Sequence, residues 1–110
     1  MKQKDIYLAN LNPSMGNEQS GIRPILIISG NAMNDNFGVV ITCPLSSKIK
    51  NFSGCVVLSP DDLNKLSETS EVLTFQVRTI AKERLMKKIG EISEYQFQAI
   101  KKGLNEILTY

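Results

Sequence analysis

A carboxylate, an amide, a flexible glycine and a guanidinium are packed into Gly16-Asn17-Glu18-Gln19-Ser20-Gly21-Ile22-Arg23-Pro24, directly ahead of the unbroken apolar run Ile25-Leu26-Ile27-Ile28. Polar groups held at the mouth of a rigid scaffold are how small folds build sites. Arg23 suits phosphate, because its planar fork matches two phosphate oxygens and stays charged at every working pH; pairing with Glu18 across the loop is the competing use. A second cluster, Pro44-Leu45-Ser46-Ser47-Lys48, sets two hydroxyls and an ammonium directly after an expected strand. Ser46 and Ser47 could meet a ligand or simply close a turn with a hydrogen bond. A third, Gln76-Val77-Arg78-Thr79-Ile80, alternates in side-chain direction if it is a strand, so that Gln76 and Arg78 share one face.

What the chain lacks narrows the chemistry further. It contains no His, the usual side chain for proton transfer near neutral pH, so any enzyme here must work with Arg, Lys, carboxylates and hydroxyls. Cys43 and Cys55 fall inside expected strands without Cys-x-x-Cys spacing, and no His completes a zinc site with them; they read as buried, reduced thiols. Neither a metal nor a cofactor is expected. The net charge of +2 is too small by itself to announce nucleic-acid binding. Its distribution is more informative: Arg78, Lys82, Arg84, Lys87 and Lys88 stand against the single acid Glu83 between Leu73 and Gly90, while Lys48 and Lys50 sit in an acid-free stretch. Such a stripe can line a phosphate backbone or be a solvated face.

These groups must be carried by a small scaffold. With 110 residues and 42% hydrophobic composition the chain can bury one core, which predicts a single domain over 1–110. No run of 18 apolar residues occurs, and the apolar stretch after Met1-Lys2-Gln3-Lys4-Asp5 is too short for a signal-peptide core; a cytoplasmic protein without a membrane span is expected. Strands are predicted at Ile6 to Ala9, Ile25 to Ile28, Val39 to Cys43, Cys55 to Leu58 and Val72 to Thr79. Ile25 to Ile28 should be buried on both faces. The stretch from Ser29 to Phe37, rich in Asn and Gly, reads as a connection. Ser59-Pro60-Asp61-Asp62-Leu63 carries the residues of a helix start and predicts one or two helical turns. Ala81 to Leu85 predicts a short helical turn, and Met86 to Ile92 is open between strand and loop.

The end of the chain is clearer. Ser93 with Gln96 three residues on forms a capping box, and Phe97, Ile100, Leu104, Ile107 and Leu108 recur on one helical face, with Lys101, Lys102 and Glu106 opposite. Gly103 reads as a weak point of about 1 kcal/mol relative to Ala. Short antiparallel strands with one closing helix predict a mainly β fold, a small curled sheet or open barrel.

Asp5-Ile6-Tyr7-Leu8 with Leu11-Asn12-Pro13, then Gly16-Asn17-Glu18-Gln19 with Gly21-Ile22-Arg23-Pro24, resembles the N-terminal signature of the MazF/PemK/Kid toxins. Pro44-Leu45-Ser46-Ser47 is similar to the family's Pro-Leu-Thr-Ser segment, and Gln76-Val77-Arg78-Thr79-Ile80 with Lys82, Arg84 and Leu85 to its Gln-Ile-Arg-Thr-Ile block. The PemK/Kid branch uses a His and an Arg-x-Asp where this chain has Asn17, Leu73 and Phe75, so the chain is more similar to the Bacillus-type MazF branch. Ser46 replaces that branch's Thr, and Ala81 the Asp that often follows Arg-Thr-Ile.

The resemblance implies an SH3-like β-barrel of the CcdB/Kid/MazF type and a homodimer that cleaves single-stranded RNA, such as mRNA, at a short sequence. It also implies a cognate antitoxin that blocks the RNA groove. Cleavage by the ribose 2′-hydroxyl would leave a 2′,3′-cyclic phosphate and a 5′-hydroxyl. The family's catalytic arginine matches Arg23, its loop glutamate Glu18 and its hydroxyl residue Ser46. Glu18 is the one chemically ordinary base in the motif, and Ser46 suits a hydrogen bond to phosphate. Gln19, Ser47, Lys48, Gln76 and Arg78 are the candidate RNA contacts, with a structural ion pair the other use of Arg78. Two alternatives stand beside this reading: a CcdB-like toxin that binds DNA gyrase, against which the C-terminal Ile107-Leu108-Thr109-Tyr110 and the absence of Trp weigh, and a weakened member that only binds RNA.

Overall fold

The computed structural model describes residues 1–110. Seven short strands form an antiparallel sheet that curls under one long helix: β1 (Asp5–Asn10), β2 (Ile22–Ile27), β3 (Val39–Ser46), β4 (Val56–Leu58), β5 (Ser70–Val72), β6 (Arg78–Ala81) and β7 (Leu85–Glu91). A short helix, α1 (Asn31–Asn36), lies between β2 and β3, and α2 (Glu94–Thr109) closes the chain. The spatial order is β4-β5-β3-β2-β1-β7, with β6 added to β3. Strand β3 therefore holds the fold together: Val39 to Thr42 pair with β6, Thr42 to Pro44 with β2, and Leu45 and Ser46 with β5.

The unbroken apolar run behaves as its composition predicts. Ile25, Leu26 and Ile27 are all fully buried, and the pleat sends them to opposite sides. Leu26 joins Ile6, Cys43, Leu45, Leu58, Val72, Phe97 and Ile100 in the core beneath α2. Ile25 and Ile27 meet Ala9, Leu11, Val40 and Ile80 in a second cluster. Burying Phe97 and Ile100 stabilises the helix contact by about 1.5–3 kcal/mol each. At its start, Ser93 Oγ accepts from Gln96 N at 3.1 Å and Gln96 Oε1 accepts from Ser93 N at 3.1 Å, so the capping box forms. Leu108 departs from the expected apolar face: it is 82% exposed.

Gly103 is not a weak point but a requirement. A Cβ there would lie 1.9 Å from the carbonyl oxygen of Gly54, so the helix seats against the β3–β4 connection by backbone approach. Gly90 is similar, with a Cβ position 2.3 Å from Asn64 O.

Other expectations are corrected. Residues 72–79 are not one strand: β5 ends at Val72, Thr74–Gln76 forms a 3₁₀ turn, and β6 begins at Arg78. The break follows from fully buried Thr74, whose Oγ1 donates to Gly54 O at 2.9 Å and draws the chain off the sheet. The turn expected over 59–63 forms slightly later, as one turn closed by Lys65 N donating to Asp61 O at 3.0 Å. Its cap is Asp61, whose Oδ1 accepts from Leu63 N at 2.9 Å and Asn64 N at 2.7 Å. Within the connection at 29–37, the six residues of α1 are held by buried Asn34, which bonds Ser29 Oγ and Ser29 O. The turn at Lys82–Arg84 is 3₁₀, and the ambiguous stretch after it is β7.

Candidate active site

Gly16 and Gly21 take positive φ (57° and 75°) in the β1–β2 loop, where a side chain is strained. Leu11 N donates to Gly21 O at 2.9 Å and Gly21 N to Asn12 Oδ1 at 3.0 Å, which closes the loop's neck. Farther out, Glu18 Oε1 accepts from Met15 N at 2.7 Å while Glu18 N donates to Met15 O at 3.1 Å. The loop is then fastened to the 3₁₀ turn by one side chain. Gln76 Oε1 accepts from Gln19 N at 2.8 Å, and Gln76 Nε2 donates to Asn17 O at 3.1 Å.

Arg23 leaves β2 half-buried. Its Nε donates to Ser20 O at 2.8 Å, its terminal amino groups make no hydrogen bond within the chain, and no carboxylate lies within 4.0 Å of it. Pairing with Glu18 is thus absent, and the fork is braced at its base with its prongs uncommitted. The β2–β3 register sets Ile25 opposite Pro44, which brings Arg23 and Ser46 to the same end of adjacent antiparallel strands. Ser46 is buried; its Oγ accepts from Lys48 N at 3.2 Å, closing the turn, and its hydroxyl proton has no acceptor in the chain.

Three depressions receive the candidate residues, and Glu18, Ser46 and Arg23 each line a different one. The first, about 330 Å³, is lined by Asn17, Glu18, Gln76 and Arg78. The second, about 360 Å³, adjoins it through Asn17, Phe75 and Gln76 and adds Gln19, Ser46, Lys48 and Lys50. The third, about 120 Å³, contains Arg23 and Ser47 with Pro24 and Glu68. Gln76 and Arg78 do line one groove, through a turn rather than through strand alternation. Arg78 forms no ion pair, and its Nη1 is buried without a hydrogen-bond partner, as is Gln19 Oε1.

Folding engages three members of the basic stripe within the chain, while Lys87 stays exposed. Lys82 donates to Asn34 O, Arg84 to Asn10 O and Asn12 O, and Lys88 pairs with Asp5 at 3.3 Å and Glu91 at 3.4 Å. The hydrogen bond and charge of Asp5 raise the Lys88 pKa. Of the stripe, only Arg78 lines one of these three depressions.

Glu71 escaped sequence reasoning altogether. It is fully buried opposite Ser46 in the β3–β5 register, and its two oxygens accept from Lys50 N and Phe52 N at 2.9 Å each. It shapes the wall that carries Lys48, Lys50 and Phe52. An acid beside Thr69 and Ser70 reads locally as a solvated strand end, and only closure of residues 47–52 over it supplies the donors. Burial raises the Cys43 thiol to about 12, with the charge of Cys55 adding to it, so Cys43 is an inert core residue. No three His, Cys, Asp or Glu side chains gather into a group that could hold a metal ion, and no helix is long and apolar enough to cross a membrane.

A curled seven-stranded sheet closed by one helix, with a guanidinium in one surface depression and a hydroxyl and two lysines in another, defines a small β protein. Residues 2–108 match the family model described as PemK-like, MazF-like toxin of type II toxin-antitoxin system, and the chain belongs to this family. It is 30% identical over 106 residues to the endoribonuclease MazF of Staphylococcus saprophyticus, covering 96% of this chain and 88% of that one. Among solved structures it is similar to MazF (Form-I) of Deinococcus radiodurans, with a TM-score of 0.86, 25% identity, and 100% and 97% of the two chains covered. It also shares its fold with a mycobacterial endoribonuclease solved in complex with its cognate antitoxin, with a TM-score of 0.82, 24% identity, and 98% and 94% covered.

Proposed function

We propose that the chain is a metal-independent endoribonuclease toxin that cuts single-stranded RNA and is neutralised by a cognate antitoxin. The observation that carries the reading is Arg23: a guanidinium held through Nε with both terminal amino groups unbonded is pre-organised for a phosphate. In the reaction, the 2′-oxygen of one ribose bonds to the adjacent phosphorus while the bond from phosphorus to the 5′-oxygen breaks. The Glu18 carboxylate takes the 2′-hydroxyl proton, and the departing 5′-oxygen is protonated. Arg23 neutralises charge that accumulates on the equatorial oxygens, and the unpaired Ser46 hydroxyl donates to one of them. Gln19, Ser47, Lys48 and Arg78 contact the RNA. Gln76 acts mainly through the loop it fastens, since its amide is already engaged there.

One domain carries these groups and works in the cytoplasm as a homodimer. The gyrase-binding alternative is not favoured, because the curated relative is a ribonuclease by name and the chain has no Trp. Incubating the purified protein with a long RNA in excess EDTA and mapping the ends tests the chemistry: cleavage with 5′-hydroxyl ends is expected, and magnesium dependence or 5′-phosphate ends would contradict it. Light scattering at micromolar concentration should give a dimer mass; a monomer across that range sinks the homodimer.

A further inference from the structure

Two phenylalanines stand at the grooves with no role in the core. Phe52 and Phe75 are 46% and 47% exposed, their ring centroids are 5.1 Å apart, and the rings meet edge to face at 78°. In such a pair neither face of the ring offering its edge is covered by its partner. Both are held on braced backbone: Phe52 N donates to the buried Glu71 carboxylate at 2.9 Å, and Phe75 sits in the turn closed by the 3.0 Å bond from Gln76 N to Leu73 O. They line the second groove together with Ser46, Lys48 and Lys50, and no acid lines it.

Exposed aromatic faces on rigid backbone, with ammonium groups on one rim, match a flat base carried by a phosphate chain, the combination by which proteins hold unstacked bases. We propose that Phe52 and Phe75 form a base-stacking subsite that receives the nucleobase next to the scissile phosphate. The subsite rests on the endoribonuclease reading and extends it: Ser46 meets the phosphate while the ring pair holds the neighbouring base, with Lys48 and Lys50 along the backbone.

The test compares binding of a fluorescein-labelled pool of short random-sequence single-stranded DNA, which lacks the 2′-hydroxyl and is not cut, to wild type, Phe52→Leu and Phe75→Leu. Leucine keeps apolar bulk and removes the aromatic face. Each variant should bind about tenfold more weakly with an unchanged salt slope, whereas Lys50→Ala should lower that slope by about one. As a measurement independent of variant folding, 5-iodouracil placed in the DNA and irradiated on wild type should crosslink to Phe52 or Phe75, read by mass spectrometry of the peptides. Undiminished binding by both folded variants, or crosslinks only elsewhere, overturns the subsite and leaves the ring pair to a protein segment. RNA cleavage in EDTA by the same wild-type preparation separates the two ideas: cleavage without a ring effect removes the subsite alone, whereas a ring effect without cleavage removes the endoribonuclease reading and keeps the stacking surface. Absence of both binding and cleavage removes both.

Discussion

Helix α2 and the β1–β2 loop both lie against the sheet, but by opposite means. The helix is seated by apolar burial of Phe97 and Ile100 and by backbone contact at Gly103, where no atom can be added. The loop is fastened by polar bonds, two of them from the single amide of Gln76. Close packing is dense and intolerant of change, whereas each such hydrogen bond contributes only about 0.5–1.5 kcal/mol net. The contrast separates stability from the proposed chemistry: Glu18 rides on the part that can shift without unfolding the rest, and Arg23, on β2, has its Nε held by that loop through Ser20 O.

The sharpest way to break that contrast is Gly103→Ala. Overpacking against the Gly54 carbonyl should cost about 3 kcal/mol or more, read by urea denaturation; a loss under about 1 kcal/mol would show that the helix is loosely seated. Arg23→Ala should do the reverse, lowering single-turnover cleavage by about 10²-fold or more while the unfolding midpoint barely moves. Arg23→Lys should recover only part of the rate, since a point charge cannot reproduce a two-pronged contact. A folded Arg23→Ala protein that cleaves near the wild-type rate would remove its assigned role and shift attention to Arg78 or Lys48.

Gln76→Leu lies between these extremes. Releasing Asn17 and Gln19 should slow cleavage by about tenfold and cost about 1–2 kcal/mol in stability, separating a positioning role from direct base contact. If cleavage falls with the loop still ordered, as judged by unchanged amide exchange at Gly21, whose N–H is held by Asn12 rather than by Gln76, Gln76 touches the RNA itself. The smallest effect concerns pH. With its thiol at about 12 in the folded chain against 9.0 as the reference, Cys43 favours folding fully below pH 9, and that share is lost as pH rises toward 12, because the unfolded chain sheds the proton first. Cys43→Ala should show a shallower decline over this window, although less stable at every pH; parallel curves would contradict the sign.

Local pattern was enough for the elements whose cause is local. The Ser93–Gln96 capping box, the apolar spacing of Phe97 and Ile100, and the two-faced burial of Ile25 to Ile27 follow from neighbours a few residues apart. The order of the segments that carry Glu18, Arg23 and Ser46 was likewise legible. Tertiary structure alone decided that Gly103 serves contact rather than weakness, that Thr74 breaks a strand, that Glu71 is buried to shape a wall, and that Lys82, Arg84 and Lys88 are engaged within the chain. Each of those outcomes depends on a partner distant in sequence: Gly103 and Thr74 on Gly54, Glu71 on Lys50 and Phe52, Arg84 on Asn10. Periodicity reports which face of a segment avoids water, but what that face or a buried carboxylate meets is set by chain closure, which no local pattern encodes.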